Sequence, residues 1–260
     1  MPTRWIERLG RVTRNAVLNA GRAGLLFWAT IIALCKPMRH WSETIAQAKR
    51  IGVDGLALVL LMGALSGSVL AQQTFYQMAT GLPLSIVGGS VAGGVLTELG
   101  PVLTAIVLAG RMGAGIGAEL GTMKVTDQID ALLTLGRDPV VELVVPRVVA
   151  GTLMLIPLVA MADMMGVVSG WLTAITVLPM TTAEYVSGVR GYYHAPALIF
   201  SLVKATAFGF TITFIASFVG LRAEGGAAGV GRTATTAVVA IIVAIMAVDV
   251  ILAPVYKAFS

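Results

Sequence analysis

The sequence predicts an all-α membrane protein with about five transmembrane helices, an N-terminal amphipathic elbow helix and a short helix in a cytoplasmic loop. Of its 260 residues, 57% are hydrophobic and only 12% are charged, and the mean hydropathy is +0.89. This composition leaves too little polar surface for a soluble domain of this size. Five apolar runs are also long enough to cross roughly 30 Å of hydrocarbon, which takes about 20 helical residues.

The first 50 residues are predicted to form an interfacial segment, followed by a transmembrane domain over residues 51–260. An apolar run over residues 16–35 is interrupted by the sequence GRAG, and arginines precede it at helical intervals: Arg4, Arg8, Arg11 and Arg14. A helix of this kind lies in the membrane interface or inserts halfway. A sixth full span is the alternative. No compact apolar stretch with a small-residue cleavage site follows the arginines, so no removable signal peptide is predicted.

The distribution of basic residues predicts the orientation of the spans, which are residues 52–72, 85–110, 148–175, 196–219 and 234–256. Fifteen of the 18 lysines and arginines lie in residues 1–50, 111–147 and 219–234. Because such residues favour the cytoplasmic side, the N-terminus is expected in the cytoplasm and the C-terminus on the opposite side.

Closely spaced glycines recur along the chain and would let helix backbones approach one another in lipid. They are Gly63/Gly67, Gly89/Gly93, Gly113/Gly117/Gly121 and Gly225/Gly229. Tight packing within the chain is the simpler interpretation, and a homodimer face is the alternative.

The segment over residues 110–147 is predicted to be the longest cytoplasmic connection after the N-terminal segment. Within it, apolar Ile129, Leu132 and Leu133 recur at helical spacing, whereas the polar residues Lys124, Asp127, Asp130 and Thr134 occupy other faces. This pattern predicts a short amphipathic helix that ends before Gly136 and Pro139. Such a helix could be a docking surface for a soluble partner or could lie passively at the headgroups.

Specific sequences around this segment resemble the MlaE-type (YrbE-like) permease family, the membrane subunits of ABC lipid transporters that work with MCE proteins. They are TELGPVLTAIVLAGR at residues 97–111, AELGTMKVTDQIDAL at residues 118–132, and LGRDP and VVPR further along. The resemblance extends from about Gly21 to the last span. It implies a multi-pass protein of the inner (cytoplasmic) membrane that moves phospholipid or a related lipid.

The resemblance also implies partners. The amphipathic segment would be a coupling helix that docks on a cytoplasmic ABC ATPase through the polar residues Glu119, Lys124, Asp127, Gln128 and Asp130. A second copy of the chain, an extracytoplasmic MCE-domain protein and, as an optional component, a small STAS-like subunit would complete the transporter. The chain has no G-x-x-x-x-G-K-[ST] phosphate loop, so ATP and magnesium are expected in the ATPase and no cofactor in this chain.

Glu98 is the most informative charge in the predicted spans. An ionised residue there costs roughly 2.5 to 3.5 kcal/mol on insertion scales, so its side chain should face protein or water. Pro101 cannot donate to the carbonyl of Thr97, which predicts a kink and a free acceptor. By the resemblance, the lipid cavity between two copies would be lined by Leu70, Tyr76, Gln77, Thr97, Glu98 and Leu99. Alternatively, Glu98 is a structural carboxylate that stabilises the kink.

Two further charges, Asp163 and Lys204, lie in the third and fourth predicted spans. A mutual ion pair would make both tolerable in the membrane, and this pair is the hypothesis. Asp54 and Asp249 lie nearer to helix ends, where contact with headgroups or water is expected.

The alternative functions differ in their energy source and chemistry. A proton-coupled secondary carrier would use Glu98, Asp163 and Lys204 as a relay, but no internal repeat typical of such carriers is found. A protein that only anchors partners is a third hypothesis. An enzyme is not expected, because neither His40 nor His194 lies in a span beside a serine nucleophile. The single Cys35 and two histidines predict no metal site, and the dispersed basic residues predict no nucleic-acid binding.

Overall fold

A computed structural model describes residues 3–34, 41–79, 81–192 and 195–259, and most of this described chain is helical, without strands. The α-helices are α1 (Thr3–Leu34), α2 (Trp41–Gln77), α3 (Ser85–Gly94), α4 (Gly100–Leu108), α5 (Ala114–Val125), α6 (Gln128–Thr134), α7 (Val145–Thr176), α8 (Thr182–Tyr192), α9 (Ala195–Gly220) and α10 (Gly226–Phe259). Three π-helical segments, Val95–Leu99, Ala109–Gly113 and Val140–Val144, join or precede these helices. Cys35, His40 and His194 lie outside the described residues.

Six helical stretches in the described chain are long and apolar enough to cross a membrane, which confirms the predicted all-α membrane fold. They are Val17–Leu34, Trp41–Gln77, Ser85–Val125, Val140–Thr176, Pro196–Gly220 and Gly226–Pro254. Each of the five predicted spans coincides with one of the last five stretches. The second of these is one continuous helical rod, in which two π-helical segments separate α3, α4 and α5.

Helix α1 contains the stretch Val17–Leu34, which is additional to the five predicted spans. It lies beside the bundle. The ring of Phe27 contacts Phe210 and Phe214 of α9 edge-on, with centroids 5.8 and 5.9 Å apart. Arg222, just beyond α9, donates a hydrogen bond to the side chain of Asn19 over 3.1 Å. By length and composition α1 fits the alternative of a sixth span, and it packs against the π-helical segment Val140–Val144 as well as against α7 and α9.

Helix α2 begins at Trp41, so the division predicted between residues 50 and 51 falls inside it. The buried residues Thr44, Gln47 and Ile51 lie on the same face as the buried glycines further along the helix. One packed face therefore runs through both the polar start and the apolar body of α2.

Glycines permit the closest helix contacts within this chain. A Cβ on Gly63 of α2 would lie 2.5 Å from the carbonyl oxygen of Ala162 in α7, and a Cβ on Gly67 would collide with the backbone of Gly166. A Cβ on Gly188 of α8 would collide with Ser85 of α3. Tight packing within the chain, the simpler interpretation of the glycine spacing, is confirmed for Gly63/Gly67, Gly89/Gly93 and Gly113/Gly117/Gly121, whereas the atoms nearest to a Cβ on Gly229 belong to Glu224 in the adjacent turn.

The segment over residues 110–147 is mostly helix, which corrects its interpretation as a connection. Helix α5 continues the membrane rod to Val125, and non-helical turns occur only at residues 126–127 and 135–138. Two glycines of this segment pack against α10 and the turn before it. A Cβ on Gly117 would lie 3.2 Å from that of Ala237, and a Cβ on Gly121 would lie 3.2 Å from that of Ala223.

The bundle has two distinguishable ends. The end that contains Arg50, Lys124, Arg147 and Arg222 is called the basic end below. The opposite end contains the turn between α2 and α3 and the short helix α8.

Candidate functional site

A buried lysine joins three transmembrane helices in the interior of the bundle. The Nζ atom of Lys204 in α9 lies 2.8 Å from Oε2 of Glu98 and 2.7 Å from Oδ1 of Asp249 in α10. The lysine side chain is fully buried, whereas 49% of the Glu98 side chain is exposed. We call Thr97, Glu98, Lys204 and Asp249 the Lys204 cluster. Two carboxylates around one ammonium compensate the cost of burying the cation.

The local backbone explains how Lys204 reaches Glu98. Pro101 has no N–H to donate to the carbonyl of Thr97, and the chain forms a π-helical segment over Val95–Leu99 in which the N–H of Gly100 donates to Val95. The Nζ atom of Lys204 donates to the freed carbonyl oxygen of Thr97 over 2.9 Å. The predicted free acceptor is thus present and is used by the lysine.

The hypothesis of an Asp163–Lys204 ion pair is wrong. Oδ2 of Asp163 accepts a hydrogen bond from Ser201 over 2.7 Å, one helical turn before Lys204 in α9. The carboxylate is buried against Gly100, where an added Cβ would collide with Oδ1. Asp163 in α7 therefore contacts α4 at Gly100 and α9 at Ser201, and Lys204 pairs with other carboxylates.

The prediction that Asp249 contacts headgroups or water is also wrong. Its side chain is only 19% exposed and pairs with Lys204. The sequence placed Asp249 close to the end of an apolar run, but α10 continues to Phe259 and turns the carboxylate toward α9.

Apolar residues of α2 and the neighbouring rod form a groove of about 340 Å³. It is lined by Met62, Leu65, Ser66, Val69, Leu70, Gln73, Leu99 and Leu103. Of the residues predicted for a lipid cavity, Leu70 and Leu99 lie in this groove, and Thr97 and Glu98 belong to the Lys204 cluster beside Leu99. Tyr76 and Gln77 lie in the last turn of α2, beyond the groove residues.

The predicted amphipathic helix exists at the basic end, as the seven-residue α6. It begins after Asp127, whose φ of 57° lies in the left-handed region. Lys124, near the end of α5, contacts Oδ1 of Asp130 in α6 over 3.0 Å, and Gln128 donates to the hydroxyl of Thr126. Leu133 and Leu135 are exposed, so α6 presents apolar as well as charged groups.

Glu119 differs from the other residues predicted to contact a partner, because its carboxylate pairs with arginines of two other long helices, α2 and α7. Oε1 lies 2.6 Å from Nη2 of Arg147, and Oε2 lies 2.9 Å from Nη1 of Arg50. Arg50 and Arg147 were not among the predicted site residues. The available signal was the position of Arg147 directly before a run of 15 residues without a charge, which ends at Asp163.

Comparison with known proteins identifies the family. Residues 44–255 match the family described as Permease MlaE. The chain belongs to the MlaE permease family. The match covers the whole of the Lys204 cluster, the apolar groove and α6.

Named relatives of this permease come from bacteria and plants. It is 37% identical over 231 residues to a probable ABC transporter permease protein of Rickettsia typhi, covering 89% of each chain. It is 28% identical over 253 residues to the intermembrane phospholipid transport system permease protein MlaE of Haemophilus influenzae, covering 97% of each chain. It is also 35% identical over 223 residues to the chloroplastic protein trigalactosyldiacylglycerol 1 of Arabidopsis thaliana, covering 85% of this chain and 63% of that protein.

Proposed function

We propose that this permease is the membrane subunit of an ABC transporter that moves phospholipid or a related lipid between its own membrane and an extracytoplasmic MCE-domain protein. ATP would be hydrolysed in a separate cytoplasmic subunit. The observation that carries the proposal is the Lys204 cluster next to the apolar groove. A lipid needs apolar walls for its tails and a few polar groups for its headgroup, and these two surfaces supply them.

The exposure of Glu98 supports a cavity shared by two copies. Its carboxylate lies in an apolar helix but is half exposed in a single chain. Hydrocarbon would be a costly environment for this group. A second copy packed against the groove would enclose Glu98 in a water-accessible or lipid-filled cavity instead.

The basic end supports docking of an ATPase. Helix α6 and the residues before it present the polar side chains of Lys124, Asp127, Gln128 and Asp130. The apolar side chains of Leu133 and Leu135 are exposed beside them. In this proposal the basic end faces the cytoplasm, in agreement with the positive-inside rule. Closure of the ATPase would move α6 and alter the affinity of the cavity for lipid, as any ligand-driven cycle between two states requires.

Purification of the wild-type complex with its native partners tests the proposal. We expect an ATPase subunit and phospholipid to co-purify, and the reconstituted complex to transfer a fluorescent phospholipid only when ATP is hydrolysed. Glu98→Gln should lower transfer by about tenfold or more, because a hydrogen bond to a charged group contributes about 1.5 to 3 kcal/mol. Glu184→Gln, at the start of α8, is the matched control and should transfer normally, because the glutamine oxygen can still accept the hydrogen bonds from Thr181. A complex without an ATPase would contradict the proposal.

The Lys204 cluster also favours one alternative, a proton-coupled carrier. The carboxylates of Glu98 and Asp249, on both sides of the buried ammonium, could bind and release protons as the substrate moves. This carrier would transfer lipid under a proton gradient without ATP, and a protonophore would stop it. ATP-dependent transfer that is insensitive to a protonophore would exclude the alternative.

A further inference from the structure

We infer that Glu119 is a positioning residue that links α6 to the helices forming the apolar groove, rather than a residue that contacts the ATPase. This inference rests on the proposed function, because it concerns how movement of a docked ATPase reaches the lipid cavity. It is carried by the ion pairs of Glu119 with Arg50 and Arg147.

The three residues come from three different helices. Glu119 lies in α5, Arg50 in α2 and Arg147 at the start of α7. One oxygen of the carboxylate contacts each arginine, at 2.9 Å for Arg50 and 2.6 Å for Arg147. The carboxylate is therefore the common point of contact of α2, α5 and α7 at the basic end.

Arg147 makes this contact rigid. Its side chain is only 2% exposed, and Nη1 donates to the carbonyl oxygen of Leu143 in the preceding π-helical segment over 2.7 Å. A buried guanidinium that loses its carboxylate is left as an uncompensated charge, which strongly disfavours separation of the pair. Arg50 is more exposed, so its contact with Glu119 can change at lower cost.

The position of Glu119 along α5 connects it to the docking surface. Lys124 lies five residues further along the same helix and holds Asp130 of α6. In the other direction, α2 extends from Arg50 to Leu65, Val69 and Leu70 of the groove. A displacement of α6 would thus pass through α5 and the Glu119 carboxylate to the groove wall in α2, while the pair with Arg147 keeps α7 in register.

The test compares lipid transferred per ATP hydrolysed in reconstituted complexes containing wild type, Glu119→Gln or Arg50→Gln. Asp54→Asn is the matched control. Its carboxylate lies in α2 one turn from Arg50, but its ion pair with Arg111 is long, at 4.0 Å, and both side chains are half exposed. Co-purified ATPase and the unfolding temperature are measured for each complex.

Glu119→Gln and Arg50→Gln should both retain the ATPase and hydrolyse ATP. They should transfer about 5- to 150-fold less lipid per ATP, which is the usual range of coupling between sites. Asp54→Asn should match wild type. Arg50→Gln decides the result if Glu119→Gln fails to assemble, because Arg50 lies at the surface. Normal transfer per ATP in Arg50→Gln, or a loss explained by dissociation of the ATPase, would overturn the inference that Glu119 links α6 to the groove. Absence of an ATPase from the wild-type complex would instead contradict the proposed function.

Discussion

Lys204 donates a hydrogen bond from α9 to the carbonyl oxygen of Thr97 over 2.9 Å. This acceptor is free because Pro101, four residues later, has no N–H. The same ammonium contacts Glu98 and Asp249. One side chain therefore donates to the unpaired backbone carbonyl and neutralises charge on two carboxylates. The π-helical segment and the charge cluster are therefore parts of one structural unit.

Replacing the lysine should destabilise this unit through repulsion between the carboxylates. Lys204→Met removes the ammonium, and removal of one partner of a buried ion pair costs about 3 to 5 kcal/mol. We expect a lower yield and a lower unfolding temperature in detergent. The triple variant with Glu98→Gln and Asp249→Asn removes the uncompensated charges and should recover most of the stability. A triple variant no more stable than Lys204→Met would contradict this account.

Gly100 should be intolerant of a side chain, because a Cβ there would collide with the carboxylate of Asp163. Overpacking of this kind costs about 1 to 3 kcal/mol, so Gly100→Ala should lower the unfolding temperature. Gly110→Ala is the matched control in the same helical rod, since a Cβ on Gly110 meets nothing within 4 Å. In the background of Asp163→Ala, the additional cost of Gly100→Ala should shrink. Equal effects of the two glycine substitutions would contradict the predicted contact.

Hydropathy predicted the five spans, and Pro101 predicted the free carbonyl of Thr97, because both depend on local sequence. The partners of Lys204 depend on how each helix is rotated about its axis. Glu98, Asp163 and Asp249 all lie in apolar helices, and hydropathy does not show which of them faces Lys204. The ion pairs of Glu119 could not be predicted for the same reason, because they depend on how α2, α5 and α7 pack against one another. The segment that holds Glu119 was expected to be a connection, whereas Gly117 and Gly121 pack α5 against α10 and the turn before it, and the helix continues past Glu119.

Leu133 should contribute to docking of the ATPase, because it is a large apolar side chain exposed on α6. Leu133→Asp should reduce the ATPase that co-purifies by about tenfold or more, since loss of a buried leucine at an interface removes about 1.5 to 3 kcal/mol. The unfolding temperature of the permease should not change. Ala183→Asp introduces the same charge at an exposed position of α8 at the opposite end, and it should retain the ATPase. Retention of the ATPase by Leu133→Asp would exclude this side chain from the docking surface.

The α2 face of the groove should meet a second copy of the chain. Val69 is exposed there, at 62% of its surface, whereas Leu153 of α7 has a similar exposure of 55% on another part of the bundle. In a Cys35→Ser background, Val69→Cys should form a disulfide between two copies in the membrane upon mild oxidation, and Leu153→Cys should not. A disulfide needs Cα atoms within roughly 7 Å, so it reports close contact between the two α2 helices. Cross-linking of Leu153→Cys in preference to Val69→Cys would place the dimer interface on α7 and leave Glu98 outside the shared cavity.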